Sequence, residues 1–367
     1  MSFKQTRRAL YRGEVRYPFI ARRKWWYLFS LLIIVVSVFS FIFRGFNYGI
    51  EFAGGTQFQI QASGTSLTVD KVNSAFNNAG LGSENLPQEV GSGSTRQFVV
   101  KTRTVTTAQE IQVENKVASA LGIPTNKISV TTVSSDWGHD ITVKAIQGLV
   151  VFLIVVTIYI AIRYQWRMAA AGIVALLHDL LVAAGIYSIV GFEVTPSTVV
   201  GLLTILGFSL YDTVVVFDKV AENSKDILAG SRMTYSEAAN IAVNQTLMRS
   251  VNTSLIALLP VAGLLFVGAG VLGVGTIKDL ALILFVGIAS GAYSSLFLAT
   301  PIVCDLTERE PAYQALTRRV TAKRASDAAK AQAAAVSATE VVAAASRPAL
   351  GPAPAPRPGA RPQRRRK

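Results

Sequence analysis

The sequence has almost none of the residues from which metal sites and disulfides are built. It contains one cysteine, Cys304, and two histidines among 367 residues, so no intrachain disulfide can form and no His/Cys metal site is expected. A nucleotide-binding glycine loop and a nucleophile–base pair are also missing from the sequence. We therefore expect neither an enzyme nor a cofactor.

Charged residues are scarce as well. They make up 16% of the chain, whereas hydrophobic residues make up 51%, and several apolar runs of roughly 18 residues or more predict a membrane protein. The formal net charge of +14 comes mainly from basic residues towards the two ends. We interpret these as basic termini beside anionic membrane lipids and expect no binding to DNA.

Six apolar segments are each long enough to cross roughly 30 Å of hydrocarbon as a helix. Span 1 has no small-residue cleavage site after it, because Phe41, Ile42 and Phe43 stand there, and it is predicted to be an uncleaved anchor. Spans 1 to 6 are predicted at residues 25–43, 143–162, 168–190, 198–217, 250–267 and 280–303.

Basic residues are concentrated before span 1, in alternate links between spans and after span 6. By the positive-inside rule both termini lie in the cytoplasm and residues 46–140 form an outer domain. The basic residues that set this orientation include Arg7, Arg8, Arg12, Arg16, Arg22, Arg23, Lys24, Arg163, Arg167, Lys219, Lys225 and Arg232.

The resulting organisation has five parts. They are a basic N-terminus at 1–24, span 1 within 25–45, the outer domain at 46–140, a bundle of spans 2 to 6 within 141–305, and a basic tail at 306–367. The tail is rich in alanine, proline and arginine, a composition that cannot build a core, and is predicted to be disordered.

The outer domain is predicted to be a small α/β unit of the ferredoxin-like type, because its segments follow the order β-α-β-β-α-β. Its first strand is predicted at residues 50–62 and is interrupted by Gly54 and Gly55. Those glycines either form a bulge or let another backbone approach closely. The other segments are a helix at 68–79, strands at 87–90 and 96–102, a helix at 107–121 and a strand at 128–133.

A carboxylate interrupts span 4, whose sequence around residues 206–223 is LGFSLYDTVVVFDKVAEN. Asp212 lies about six residues, or roughly 9 Å, inside Asp218, which is predicted to be solvated at the cytoplasmic boundary. Because a carboxylate within lipid is costly, Asp212 is predicted either to titrate during ion movement or to bond a neighbouring helix.

Span 5 carries a polar face made of Gln245, Arg249, Asn252 and Thr253. Arg249 is interpreted either as an interfacial anchor that extends outward or as a counter-charge for a buried acid. The polar face continues inward through Asn252 and Thr253, and this favours the counter-charge.

Two further polar features lie in spans 3 and 6. In span 3, Asp179 follows His178 and either joins a proton path or makes a helix–helix hydrogen bond. In span 6, the small residues are interpreted as packing positions; they are Ser290, Gly291, Ser294 and Ser295.

Four segments, in this order along the chain, resemble the motifs of SecF proteins. They are YGIEFAGG after span 1, HDLL in span 3, LGFSLYDTVVVFDKVAEN in span 4 and NQTLMRSVNTSL entering span 5. The resemblance covers roughly residues 25–305. It implies half of an RND-type transporter in the bacterial cytoplasmic membrane. Such a subunit pairs with SecD and helps SecYEG, downstream of SecA, to export preproteins with the proton or sodium motive force.

The resemblance also implies roles for particular residues. Asp212 matches the family's essential membrane aspartate, Arg249 its partner and Thr253 a polar residue of the same relay, while Gly54 and Gly55 match the glycine pair below the outer domain. Two positions depart from the family pattern: Glu51 stands where aspartate is usual, and Tyr211 where asparagine is usual.

Three hypotheses follow. The first is an ion-driven accessory subunit of protein export in which Asp212 titrates. The second is a half-transporter that exports a lipid or a drug, and the third is a passive assembly factor of the translocon. The outer domain has fewer than 100 residues, which is small for a multidrug transporter and favours export.

Overall fold

The computed structural model describes residues 17–62, 64–82, 86–91, 93–271 and 275–345. Within these residues six helices are long and apolar enough to cross a membrane, which confirms the predicted number of spans. The basic residues Arg7, Arg8, Arg12 and Arg16 lie outside the described part. The helices of spans 1 to 5 are Arg23–Phe43, Ser135–Arg163, Trp166–Val190, Pro196–Asn223 and Tyr235–Ala262.

Span 6 is interrupted by a wider turn. It runs as an α-helix over Gly275–Ser294, continues as a π-helix over Ser295–Ala299, and ends as the α-helix Thr300–Glu308. A second π-helix, Gly263–Val271, follows span 5. Such turns accommodate an extra residue and often occur at functional sites.

Spans 4 and 5 extend beyond the apolar limits predicted from the sequence. The helix of span 5 begins at Tyr235 because Thr234 and Glu237 form a capping box that satisfies its first backbone N–H groups. Helical hydrogen bonds continue into water, whereas hydrophobicity ends with the lipid, so the sequence located the apolar centres rather than the helix ends.

Spans 3, 4 and 6 form the centre of the bundle. Half of the most apolar window of spans 3 and 6 is buried, and 39% of that of span 4, against 17% for span 1, 11% for span 2 and none for span 5. Spans 1, 2 and 5 therefore present broad apolar faces to their surroundings.

The outer domain is a four-stranded antiparallel sheet with two helices on one face, Val69–Asn78 and Thr107–Leu121. Across the sheet the strands lie in the order β3 (Gln88–Val90), β4 (Gln97–Thr102), β2 (Gly55–Gln61) and β5 (Ile128–Val133), which confirms the predicted ferredoxin-like fold. Phe58, Phe76 and Phe98 form part of the core beneath the helices. The strands in chain order are β1 Asn47–Tyr48, β2 Gly55–Gln61, β3 Gln88–Val90, β4 Gln97–Thr102, β5 Ile128–Val133 and β6 Glu193–Val194.

The prediction that Ile50–Ala53 belongs to the first strand was wrong, because these residues form a single helical turn. Gly54, with φ of 75°, ends the turn, and β2 begins at Gly55, with φ of 123°. A Cβ atom would lie 3.0 Å from Ser135 Cα at Gly54 and 2.7 Å from the Thr102 carbonyl oxygen at Gly55. The structure therefore has the close backbone approach at both glycines.

A short parallel pairing ties the outer domain to the membrane helices. β1 pairs with β6, which lies in the link between spans 3 and 4. Lys101 of β4 also forms an ion pair of 2.7 Å with Glu193 of β6. Two-residue strands are too short to show a periodicity, so this pairing could not be predicted from the sequence.

The expectation of a disordered tail was wrong for its first part, because Pro311–Ala345 forms a helix. Its alanines favour helix, and Leu316 and Val320 are buried against the body of the protein. Arg324 binds both carboxylate oxygens of Glu237, at 2.6 and 2.8 Å. The Pro- and Arg-rich segment RPALGPAPAPRPGARPQRRRK lies outside the described residues.

Replacing Gly55 with alanine tests the close approach. We expect Gly55→Ala to destabilise the outer domain by roughly 2–4 kcal/mol, because the new methyl group meets the Thr102 carbonyl at a backbone conformation that alanine disfavours. Hydrogen exchange of β2 and β4 amides in the full-length protein measures the effect. Gly64→Ala is the matched control, since Gly64 has φ of 72° but no atom within 4 Å of the added Cβ. Equal effects of the two variants would exclude a packing contribution at Gly55.

Candidate functional site

The most completely bonded carboxylate in the described part of the bundle belongs to Asp179 of span 3, which is 1% exposed. Ser290 Oγ donates to its Oδ1 at 2.7 Å, and Ser209 Oγ and Ser294 Oγ donate to its Oδ2 at 2.5 and 2.7 Å. His178 Nδ1 lies 3.2 Å from Oδ1. One carboxylate therefore joins three helices.

This cluster favours the helix–helix hydrogen bond over the proton path, the other role considered for Asp179. The interpretation of Ser290 and Ser294 as packing positions was incomplete, because both hydroxyls donate to a buried carboxylate. Their spacing of four residues places them on one face of span 6. That spacing is the sequence signal that could have identified them.

Asp212 of span 4 is also buried, with 7% of its surface exposed, but it has a different environment. Ser295 Oγ donates to its Oδ2 at 2.7 Å, and this is its one hydrogen bond within the described residues. Ser209, one turn earlier in span 4, donates to Asp179 instead. Asp212 consequently has free acceptor capacity, since an ionised carboxylate has about four lone-pair sites.

A small cavity adjoins Asp212 between spans 4, 5 and 6. Its volume is about 20 Å³, enough for roughly one water molecule. Thr253 of span 5 lines the cavity together with Asp212, so the structure brings these two predicted residues together. The remaining lining residues are Phe208, Ser209, Tyr211, Ser254, Ile288, Gly291 and Ala292.

Tyr211 lines this cavity and Arg249 contacts Tyr211, but neither makes a hydrogen bond to the Asp212 carboxylate within the described residues. Tyr211 is 51% exposed, and Arg249 Nη2 donates to its hydroxyl at 3.5 Å. In the described part of the chain neither residue bonds Asp212 directly. Tyr211 and Asp212 are neighbours in sequence, yet one side chain contacts span 5 and the other contacts span 6.

Span 6 contacts both buried carboxylates through consecutive residues. Ser294 binds Asp179 and Ser295 binds Asp212, at the point where the π-helix begins. Thr300, which is fully buried, donates its hydroxyl to the Ser295 carbonyl at 3.3 Å. The wider turn lets two adjacent side chains reach carboxylates on two different helices.

The other predicted residues lie at the periphery of the site. Asp218 is exposed, as expected, and accepts from Tyr164 Oη at 2.7 Å and pairs with Arg163 at 3.4 Å. Burial and this hydrogen bond raise the pKa of Tyr164 above the ordinary value of a tyrosine. Asn252 is half-buried on span 5, and Glu51 lies far away, below the outer domain.

Comparison with known proteins gives consistent matches. A family model described as protein export membrane protein SecD/SecF, C-terminal, matches residues 112–309, and the SecD/SecF GG motif matches residues 39–66. The chain is 48% identical to the protein translocase subunit SecF of Streptomyces coelicolor, over 90% of this chain and 87% of the relative. It is 46% identical to SecF of Mycobacterium tuberculosis H37Rv, over 86% and 72% of the two chains.

A longer relative and a solved structure, both named SecDF, extend these matches. The chain is 32% identical to the protein translocase subunit SecDF of Thermus thermophilus, over 83% of this chain and 42% of the relative. The crystal structure of SecDF from that organism, described as a translocon-associated membrane protein, superimposes with a TM-score of 0.71. That match covers 81% of this chain and 39% of the solved chain, at 32% identity.

Removing one donor to Asp179 tests the cluster. We expect Ser294→Ala to lower stability by about 1–2 kcal/mol, because a buried carboxylate loses a hydrogen bond in a nonpolar environment. The measurement is thermal unfolding in nanodiscs, with Thr157→Ala as the control, since that exposed hydroxyl bonds only Leu153 of its own helix. We further expect non-additive effects of Ser294→Ala and Asp179→Ala. Additive effects would contradict the interaction.

Proposed function

Because this chain belongs to the SecF family of protein-export membrane proteins, we propose that it couples an ion gradient to the export of proteins across the bacterial cytoplasmic membrane. A role in protein export as a translocase subunit follows from the family itself. The coupling step is the finer proposal. We assign it to Asp212, with a proton or a sodium ion as the ion that binds.

One observation carries this assignment: the two buried carboxylates of the bundle differ in how fully they are bonded. Asp179 has four contacts from donor-bearing groups, whereas Asp212 has one hydrogen bond and adjoins a cavity the size of a water molecule. A saturated carboxylate is suited to holding helices together. A carboxylate with free acceptor sites and access to water is suited to binding and releasing an ion.

In the proposed cycle a water molecule in the cavity delivers the proton to Asp212, with Thr253 as the second polar group beside that water. Protonation removes the negative charge that Ser295 Oγ binds, and the charge-assisted hydrogen bond weakens. Span 6 can then tilt against span 4 about its remaining hydrogen bonds to Asp179. Each charge that crosses the membrane provides about 2.3 kcal/mol per 100 mV for such a shift.

Arg249 and Tyr211 have a gating role in the proposal. Arg249 contacts the Tyr211 hydroxyl at 3.5 Å, a long and weak hydrogen bond. We propose that Arg249 leaves Tyr211 and becomes the counter-charge of Asp212 in another state of the cycle. Asn252 lies on the same face of span 5 as Arg249 and provides a polar path for Arg249 between Tyr211 and Asp212.

The proposed topology has both termini in the cytoplasm and the outer domain on the opposite side. SecD is the proposed partner, since a relative joins SecD and SecF in one chain and spans 1, 2 and 5 have exposed apolar faces. SecYEG, with SecA upstream, and the preprotein are further proposed partners, with lipid around the remaining faces.

The alternative of lipid or drug export has no support among the relatives described above, which are named as translocase subunits.

Asp212→Asn tests the coupling step. We expect ion-gradient-driven export of a preprotein into sealed, energised membrane vesicles to fall to the level measured with an ionophore, because asparagine cannot take up a proton. ATP-driven translocation before that step is expected to continue. Asp218→Asn is the matched control, since Asp218 is exposed at the membrane boundary and its loss should leave export unchanged.

Three results distinguish the hypotheses. Normal export by Asp212→Asn together with failed export after deletion of the protein would support a passive assembly factor instead. Equal losses in Asp212→Asn and Asp218→Asn would point to a general charge effect. Export independent of the whole protein would favour a lipid or drug transporter.

A further inference from the structure

The outer sheet has one face without helices, and glutamines occupy much of it. Side chains alternate between the two faces of a strand, and residues 58 and 60 of β2 point into the core. The opposite face carries Gln57, Gln59 and Gln61 of β2, Gln88 of β3 and Gln97 of β4, and all of these except Gln61 line one cleft. Four amide side chains thus lie together on three adjacent strands.

This glutamine face forms one wall of a cleft of about 360 Å³ between the outer domain and the membrane helices. The opposite wall comes from the link between spans 3 and 4, including Glu193, and from the outer end of span 6, including Lys278 and Asp279. The ion pair of Lys101 with Glu193 and the pairing of β1 with β6 hold the two walls together.

None of the four glutamine amides makes a hydrogen bond within the described residues. Elsewhere in the chain Gln109, Gln165 and Gln245 are hydrogen-bonded to neighbouring groups. A glutamine amide offers two donors and two acceptor sites, and Gln57, Gln59 and Gln97 are only half-exposed. The glutamine amides of the cleft therefore have donors and acceptors that no other described residue of the protein occupies.

We propose that this cleft binds an extended segment of the exported polypeptide. Gln57 and Gln59 are two residues apart on a strand, which separates them by about 6.6 Å, the two-residue repeat of an extended chain. Their amides can pair with backbone N–H and C=O groups whatever the side chains of the segment are. That lack of sequence preference suits a subunit that serves many different exported chains.

Charge in the cleft refines the kind of segment it prefers. Glu51, Glu193 and Asp279 supply three carboxylates, whereas Lys278 and the neighbouring Lys101 supply two ammonium groups. The excess of negative charge favours segments that carry lysine or arginine. The proposal rests on the export function and the outward orientation of the domain, and it is independent of the titration of Asp212.

Site-specific photo-crosslinking tests the contact. A photoreactive residue replaces Gln59 in the full chain, within membranes that contain its partners and a defined preprotein arrested during export. We expect a crosslink to the arrested preprotein and none before translocation begins. The matched control places the same residue at Gln112, which is exposed on the outer helix that covers the other face of the sheet.

The possible results separate the proposal from its alternatives. Crosslinks to SecD at Gln59 would show that the face is a subunit interface and would overturn the proposal, as would equal crosslinking at Gln59 and Gln112. In Asp212→Asn the crosslink at Gln59 should persist. If Asp212→Asn keeps the ion response while the crosslink forms, the coupling step proposed for Asp212 fails and the cleft proposal stands. If Asp212→Asn loses the ion response while the unaltered protein gives no crosslink at Gln59, the cleft proposal fails alone.

A functional variant complements the crosslink. We expect the combined change Gln57→Ala, Gln59→Ala and Gln97→Ala to slow export by at least about fivefold, because the loss of even one hydrogen bond of about 1 kcal/mol corresponds to that factor. Gln112→Ala should have no effect. Hydrogen exchange of β2 confirms that the triple variant folds, and a folded variant with normal export rates would overturn the proposed role in export.

Discussion

The bundle depends on the need of one buried carboxylate for hydrogen-bond donors. Asp179 lies in the interior of the membrane bundle, and its oxygens accept hydrogen bonds from serine hydroxyls of spans 4 and 6. An ionised group without such partners would be strongly disfavoured in this environment. Spans 3, 4 and 6 are therefore held together at the centre, while spans 1, 2 and 5 pack around them with more of their surface exposed.

That constraint gives Asp212 its special position. Span 6 must present Ser290 and Ser294 to Asp179, and the π-helix that starts at Ser295 turns the next hydroxyl towards Asp212. Asp212 consequently lies next to the densely hydrogen-bonded Asp179 cluster, but within the described residues it is bonded by one serine only. A carboxylate with several hydrogen bonds beside a carboxylate with one would allow local change without loss of the fold, because the central hydrogen bonds stay intact.

The sequence predicted the larger features because they depend on local patterns. Apolar runs predict six spans, and the order of strands and helices predicts the ferredoxin-like domain. A carboxylate within an apolar run singles out Asp212 as a candidate functional residue. The donors to the carboxylates were not predicted, since serines such as Ser295 are common in membrane helices and their partners depend on helix rotation. The ordered helix after Pro311 was also missed, because its contact between Arg324 and Glu237 joins residues distant in sequence.

Span 6 provides a physical connection between the two proposed sites. Asp279 lines the outer cleft and Ser295 binds Asp212, and the α-helix Gly275–Ser294 spans most of the chain between them. Sixteen residues of helix correspond to about 24 Å, so the two sites lie near opposite ends of one stiff element. A tilt of span 6 about its hydrogen bonds to Asp179, after Ser295 leaves Asp212, would move Lys278 and Asp279 against the glutamine face. Lys101 and β1 tie that face to the link between spans 3 and 4. The cleft would then change shape as the ion binds, and a bound polypeptide segment would be gripped or released with each cycle.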